Sequence, residues 1–485
     1  MFTTALLVVV LIALYSYYTR KFQYWKLRGL AEEAYWRYPE EKVVGFYRGR
    51  NPQLVIRDPE LAKKVLMTDF FHFYPRGMLS YTHKGEPMFR NLFFADGDVW
   101  RLLRQRLTPA FTSGKLRAMF PLIQERAKHL QTRALRLASG PSGAVLDARD
   151  LMARYTTDFI GACGFGLDAA SLQDEDSEFR KLGVNIFKLG FKHIIKIFLK
   201  ETFPTLLRDL KFMEHVETNI MHLMREVLKQ RNYEPSNRHD FVDLLLECQR
   251  QGIIEGESLE RAGERCELRM DDELLAAQLF VFFAAGFETS SSATSIALHY
   301  LAHNPRVQQK VHKEIDTILA KHDNKLTYDA VKEMSYIEWT FKEAMRLFPP
   351  LGYLTRECAR KYTFEELNLT VDEGVKVFIP LQAMHNDPKH FDAPHEFRPE
   401  RFDPTAPDAQ RYKHVYIPFG DGPRACIGAR LGLMQSVAGL AAVLAVCSVS
   451  PAPNAPPFPS LNPASNVVQT VKTGVPVVFK PRSAA

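Results

Sequence analysis

The sequence predicts a mainly α-helical fold with a small β-rich part, an α+β chain, and three observations predict it. Residues 271–299 hold no proline, stop short of Asn304 and Pro305, and are apolar over 274–287 apart from Gln278. A second helical run at 429–435 follows a Gly/Pro-rich loop and reads as buried. Against these, the β-branched, partly alternating stretches are few and short: 42–47, 53–56 and 375–379. With 485 residues, 46% of them hydrophobic, the chain can bury a large core. No Pro/Gly/Ser-rich linker, long charge block or internal repeat divides it. One large domain over 38–485 is therefore expected behind a short N-terminal segment.

Residues 1–19 carry no charge, and 5–14 are apolar on every face. Tyr15, Tyr17 and Tyr18 follow, then Arg20, Lys21, Lys26 and Arg28. About 17–20 apolar residues span a bilayer, with aromatics at the interface and basic residues on the cytosolic side. A cleaved signal peptide would place its positive charge before the apolar run and small residues after it, the reverse of what stands here. An uncleaved anchor at 1–19, a basic linker at 20–37 and a cytosolic domain are the expectation. The net charge of +7 is scattered and lacks interleaved aromatics, which argues against nucleic acid and leaves an acidic protein or an anionic membrane as the partner. The six cysteines include no C-x-x-C pair, which argues against zinc and against a disulfide framework and fits a reducing compartment.

Along the chain, 42–47 and 53–56 read as a hairpin across 48–52, and Asp58 with Pro59 starts a helix running to Leu66. Residues 76–94 are irregular and rich in Gly and aromatics. Trp100 and Arg104 lie four apart, on one helix face, and supply an N–H and a planar fork suited to carboxylates. Arg101, Arg106 and Lys115 add nearby positive charge, either a docking patch for an acidic protein or a solvated face. Residues 187–212 mix apolar residues with lysines; they pack as a lid over a core or dip into a membrane interface.

The stretch 271–299 would be roughly 40 Å long at ~1.5 Å per residue. Its apolar half is too short for a membrane span, so it is a core helix. Ala284, Ala285, Gly286, Phe287, Glu288 and Thr289 interrupt its apolar character. Glycine weakens a helix, and a buried acid and hydroxyl are costly unless paired. Either these groups are put to use, or Thr289 bonds back to a carbonyl and Glu288 pairs with a lysine. Further on, Glu343 and Arg346 stand three apart on a helix that ends at Pro349 and Pro350. Residues 385–388 read as a turn.

The loop 418–428 contains Gly420, Gly422, Pro423, Cys426 and Gly428 and leads into the helical run at 429–435. Glycine permits close backbone approach and proline fixes φ, so the loop is tight and rigid. Cys426 then sits where a helix begins, where free N–H groups and the dipole favour a thiolate. The small glycines leave room for a flat, bulky group against the backbone. A thiolate beneath a flat group points to haem, in which an axial cysteine favours O–O cleavage. The competing reading is a structural cysteine in a Gly-rich turn.

Phe419, Gly422, Arg424, Cys426 and Gly428 form Phe-x-x-Gly-x-Arg-x-Cys-x-Gly, which resembles the haem-binding loop of the cytochrome P-450 family. The resemblance extends along the chain in order through Trp100 with Arg104, residues 285–289, Glu343 with Arg346, and Arg401 within 397–402. It implies a large helical domain with a small β-rich subdomain, holding haem b with Cys426 as the iron's axial ligand. It implies that Trp100, Arg104, Arg356 and Arg424 meet the haem propionates, and that Phe419 and Gly428 shape the loop. Ala285 and Gly286 would leave a groove for dioxygen, with Thr289 and Glu288 supplying a hydrogen bond and a proton relay. Glu343, Arg346 and Arg401 would form a buried structural triad. Val281, Ala284, Leu351, Gly352 and Tyr353 would border the substrate.

Details at 287–292 and 107–114 look like insect microsomal members that handle xenobiotics. The implied reaction is monooxygenation of a lipophilic small molecule, with electrons from NADPH through NADPH-cytochrome P-450 reductase and cytochrome b5 as a further partner, at the endoplasmic reticulum membrane. In microsomal members a Pro/Gly-rich hinge follows the basic patch; here Leu30 runs straight into Ala31 and the first proline is Pro39, so the chain reads as short at that junction. A haem-thiolate isomerase or dehydratase, or a non-catalytic hydrophobe-binding protein, is the alternative; the Glu288 and Thr289 pair favours the monooxygenase.

Overall fold

The computed structural model of the protein describes residues 36–48, 51–78, 86–140, 142–187, 191–203, 206–207, 209–211, 213–236, 238, 240–407, 409–463, 465 and 467–482. The expected anchor at 1–19 and the linker as far as residue 35 lie outside the described residues. The chain divides into two compact units, one formed from 1–78, 352–392 and 411–426, the other from 79–351, 393–410 and 427–485.

The first unit holds the β-rich part. Its four-stranded sheet runs in the order Val43–Arg48, Asn51–Ile56, Lys376–Ile379, Leu354–Glu357. The expected hairpin is present, antiparallel with Val43 opposite Ile56. Its second strand pairs in parallel with Lys376–Ile379, setting Leu54 beside Val377. The apolar faces of these strands close a core with Leu61, Val65 and Leu66, all buried. Those three come from Pro59–Lys63 and the wider turn Lys64–Thr68. The Asp58 carboxylate caps that helix, accepting from the Glu60 and Leu61 N–H groups at 3.0 Å, with Pro59 at its first position. Residues 385–388 follow a short helix, Leu381–His385, that the sequence did not reveal.

The second unit is the helical part. The long helix Asp272–His303 starts on Asp271, whose carboxylate accepts from the Leu274 N–H at 2.7 Å. It runs one turn further than expected because Tyr300, Leu301 and Ala302 are themselves buried. Helix Ala148–Ile160 lies against it, with the Thr156 hydroxyl donating to the Phe287 carbonyl at 3.1 Å. Helix Ala429–Val446 is buried over most of its length and packs on the same helix, where the Tyr155 hydroxyl donates to the Gln435 carbonyl at 3.0 Å. The sequence Asp272–His303 and Ala429–Val446 are both long and apolar enough to cross a membrane, yet 78% and 67% of their apolar windows are buried inside the protein, so both are core helices.

Two small sheets complete this unit. One joins Cys447–Pro451, Pro476–Pro481 and Ala144–Asp147, all antiparallel. The other is a hairpin of Ile253–Glu257 and Arg265–Arg269 that leads directly into the long helix, and the sequence reading did not anticipate it. Its alternation is legible afterwards: Ile254, Cys266 and Leu268 are buried while Glu255, Glu257, Arg265, Glu267 and Arg269 are exposed.

Candidate active site

In the first unit the loop at 418–426 is folded as its composition requires. Gly420 and Gly422 adopt φ of 72° and 70°, a region that side chains disfavour. A Cβ on Gly422 would collide with the Leu66 carbonyl oxygen, so no other residue fits there. The Asp421 carboxylate accepts from the Gly422 N–H at 2.8 Å, and a 3₁₀ turn spans Gly422–Arg424. The Cys426 N–H then donates to the Phe419 carbonyl at 2.8 Å, closing the loop.

This fixes the Cys426 backbone while its side chain stays exposed. The other five cysteines are buried. Burial pushes the Cys358 thiol up to about 12 and the Cys447 thiol up to about 11, and raises Cys163, Cys248 and Cys266 as well. Cys426 is thus the one cysteine placed to meet a ligand. The helical run read at 429–435 is present, and Cys426 stands just before it. That helix begins at Ala429 with Gly428 at its cap, two residues beyond the cysteine. The helix dipole acts within the first turn, so the loop, rather than the helix terminus, fixes this thiol's position. Arg356 and Arg424, in the same unit, are 1% and 2% exposed. The Arg356 Nη1 donates to the Thr355 carbonyl at 2.7 Å, and Arg76 donates to the Arg424 carbonyl at 3.3 Å.

In the second unit the long helix is buried from Leu274 to Ala302 except at Ala284, Ala285, Gly286 and Thr289. This window coincides with the polar interruption read from the sequence. Ile160 fills the space beside Gly286, where a Cβ would strike its side chain. The Thr289 hydroxyl donates to the Ala285 carbonyl at 2.6 Å. Glu288 Oε1 pairs with Arg149 Nη2 from the start of the Ala148–Ile160 helix. Both local alternatives weighed from the sequence are therefore realised, with an arginine in place of the expected lysine. Burial lowers the Arg149 pKa, opposed by Asp147 and assisted by Arg180. Val281 is buried beside the window and Ala284 is half-buried.

Trp100 is buried and Arg104 half-buried on the helix Gly97–Leu107. Of the three basic residues noted near them, Arg101 is taken up by Glu257 at 3.1 Å, while Lys115 is exposed. Leu351 is half-buried in this unit; Gly352 and Tyr353 belong to the first, where the Gly352 carbonyl accepts from the Gln382 N–H at 3.0 Å and Tyr353 lies exposed, its ring 5.5 Å from that of Phe378.

The spacing of Glu343 and Arg346 and the distant Arg401 do converge. Glu343 accepts from Arg346 Nε at 2.8 Å and Nη2 at 2.9 Å, from Arg401 Nε at 3.3 Å, and from the Arg398 backbone N–H at 3.0 Å. Arg346 and Arg401 also reach the carbonyls of Glu396 and Ala393. Among the described residues no group of three or more His, Cys, Asp or Glu side chains could hold a bare metal ion. In the first unit the exposed thiol on its glycine cradle and the buried guanidiniums fit the iron and the carboxylates of an iron porphyrin; in the second, the long helix is uncovered at Ala284, Ala285, Gly286 and Thr289.

Comparison with known proteins agrees. A family profile described as Cytochrome P450 matches residues 23–477. The chain is 37% identical over 407 residues to probable cytochrome P450 6a13 of Drosophila melanogaster, covering 83% of this chain and 78% of that one. It is 36% identical over 483 residues to cytochrome P450 6a8 of the same fly, covering 92% and 93%. It is 34% identical over 478 residues to cytochrome P450 6B6 of Helicoverpa armigera, covering 93% and 92%.

Proposed function

This chain belongs to the cytochrome P450 family and is a haem-thiolate monooxygenase with haem b as its cofactor, and from that premise we propose which of its residues do the work. Bound haem supplies thiolate-ligated iron that activates dioxygen, one atom going to the substrate and the other to water. Cys426 is the iron's ligand, held by the Cys426–Phe419 backbone bond and admitted by Gly420 and Gly422. Arg356 and Arg424 in the first unit, and Trp100 and Arg104 in the second, donate to the haem carboxylates. Phe419 and Gly428 shape the loop at its two ends.

In the second unit Ala285, exposed in the window, keeps the helix face low enough for a small ligand, whereas the missing side chain of Gly286, expected to share that role, makes room for Ile160. The Thr289 hydroxyl donates to the Ala285 carbonyl and keeps lone pairs with which to accept; a rotation about its Cβ–Oγ1 bond redirects the O–H toward the window. Glu288 spends Oε1 on Arg149, leaving Oε2 to receive a proton and pass it on. Arg149, 26% exposed, ties this carboxylate to the solvent side. Glu343, Arg346 and Arg401 are structural. Val281, Ala284, Leu351, Gly352 and Tyr353 border the substrate.

The family works with a redox partner and lipophilic substrates. NADPH-cytochrome P-450 reductase, with cytochrome b5, is the partner we assign, supported by the net charge of +7 and by exposed Lys115 and Arg430. Residues 1–19 as an anchor, 20–37 as a linker and 38–485 as the catalytic domain place the enzyme at the endoplasmic reticulum membrane. Exposed Ile195, Leu199, Phe203 and Leu206, with Lys192 beside them, support a further contact with lipid.

The observation that carries this reading is Cys426, the exposed thiol on a rigid glycine loop. The test is the reduced carbon-monoxide spectrum of purified protein. Wild type shows the red-shifted Soret band of a thiolate ligand, and Cys426→His loses it along with all monooxygenase turnover. A folded Cys426→His protein that keeps the red-shifted band refutes the assignment.

A further inference from the structure

The hairpin of Ile253–Glu257 and Arg265–Arg269 is built onto the helix that carries Trp100 and Arg104. The Asp98 carboxylate, in that helix's first turn, is spent on the hairpin rather than on its own helix. Oδ2 accepts from the Ser258 hydroxyl at 2.7 Å; Oδ1 accepts from the Leu259 N–H at 2.5 Å and the Glu260 N–H at 3.3 Å. The Ser258 hydroxyl in turn accepts from the Arg261 N–H at 2.9 Å, and the Ser258 N–H donates to the Glu264 carbonyl at 2.8 Å. The carboxylate therefore organises the whole hairpin turn.

Contacts on either side repeat the match. Gly97, at φ 57°, lies where a Cβ would strike the Glu260 side chain, so glycine lets the turn seat against the helix start. A Cβ on Gly256 would come 2.7 Å from the Leu102 side chain, so the strand also lies directly on the helix. Arg101 closes the edge through Glu257 at 3.1 Å. At its other end the hairpin passes through buried Met270 to Asp271, the cap of the long helix. One short element thus ties the Trp100 helix to the helix bearing the Ala285–Thr289 window, residues 285–289.

We propose that the hairpin at 253–269 is a brace for haem retention, and that Asp98 is a positioning residue: it fixes the Gly97–Leu107 helix so that Trp100 and Arg104 stay aimed at the haem carboxylates. This rests on the proposed role of Trp100 and Arg104. Three charge-assisted bonds converge on one carboxylate, which makes the junction stronger than its apolar contact alone. Asp98→Asn keeps the shape but removes the charge, and it sets an NH2 donor where Oδ2 accepted from the Ser258 hydroxyl.

The experiment measures the rate at which haem passes from ferric holoenzyme to an excess of apomyoglobin. A comparison variant, Asp243→Asn, breaks a buried pair with Arg231 elsewhere in the same unit. Asp98→Asn releases haem about tenfold faster than wild type, the scale of one charge-assisted hydrogen bond, and Ser258→Ala gives a smaller change in the same direction. Asp243→Asn lowers the melting temperature without speeding release. Release from Asp98→Asn at the wild-type rate overturns the brace, and so does acceleration that merely tracks melting temperature across all three variants. Should Trp100→Phe and Arg104→Gln leave haem release untouched, the underlying assignment of those two residues fails instead.

Discussion

Two buried glutamates in the helical unit solve the same problem in opposite ways. Glu343 is closed: its side chain and that of Arg346 are wholly inaccessible, and its oxygens meet Arg346, Arg401 and the Arg398 N–H. Glu288 is ajar: its side chain is 8% exposed, its partner Arg149 26%, and it stands next to Thr289 at the uncovered window of the long helix. A carboxylate bound on every side can hold architecture but has no route for a proton. A carboxylate held by one arginine that reaches water can exchange one. The difference separates a structural charge from a reactive one within a single fold.

Breaking the closed site should have the largest effect. Glu343→Gln removes the buried carboxylate that Arg346 and Arg401 share, at a cost of about 3–5 kcal/mol. Urea unfolding of the purified variant reads this directly. An unchanged midpoint would show that the triad is not a closed charge site and would erase the contrast with Glu288.

His299 sharpens the comparison, because it is sealed without any charge partner. It is 4% exposed, its ring lies 4.5 Å from that of His303, and Nε2 is 3.3 Å from the Pro457 carbonyl. Burial, aided by His303, lowers its pKa to about 4. Since the folded value lies below the unfolded one near 6.5, the unfolded chain takes up the proton first as pH falls. Stability is then complete above about pH 6.5 and declines toward pH 4, by about 3 kcal/mol for this group. His312, lowered to about 4 by burial, adds to the same decline. His299→Gln should flatten the profile between these limits relative to wild type. Parallel profiles in denaturant titrations would show that His299 does not stay neutral in the fold.

The closed site was legible in the sequence and the open one only in half. Glu343 and Arg346 are three residues apart, and the Cys426 loop announces itself through glycines read as allowing close backbone approach, which Gly422 does against the Leu66 carbonyl. The long helix was legible because nothing in 272–303 breaks it. Arg149 was not, because it lies 139 residues from Glu288 and differs in no local way from other first-turn charges. The hairpin at 253–269 was missed for a related reason. Its strands are five residues long and crowded with Glu and Arg, and what stabilises them is Asp98, 160 residues before Ser258. Local chemistry was readable; pairing across the chain was not. The helix at 429 was legible for the opposite reason, since the loop and the cap at Gly428 that precede it are local.

The smallest effect on stability belongs to the open glutamate, and it is the decisive one. Glu288→Gln removes one charge from a pair whose arginine retains access to water and keeps Asp147 beside it. The guanidinium therefore keeps both water and a carboxylate, and unfolding should shift by about 1 kcal/mol or less. Function should move much further. Gln replaces Oε2 with an amide nitrogen that neither takes up nor releases a proton, so product formed per NADPH consumed should fall about tenfold, with a larger solvent isotope effect on turnover. Haem content and the red-shifted carbon-monoxide band should stay as in wild type, because neither depends on this carboxylate. If Glu288→Gln instead loses as much stability as Glu343→Gln while its coupling is unchanged, Glu288 is a second closed site, and the proton must reach the window by water alone.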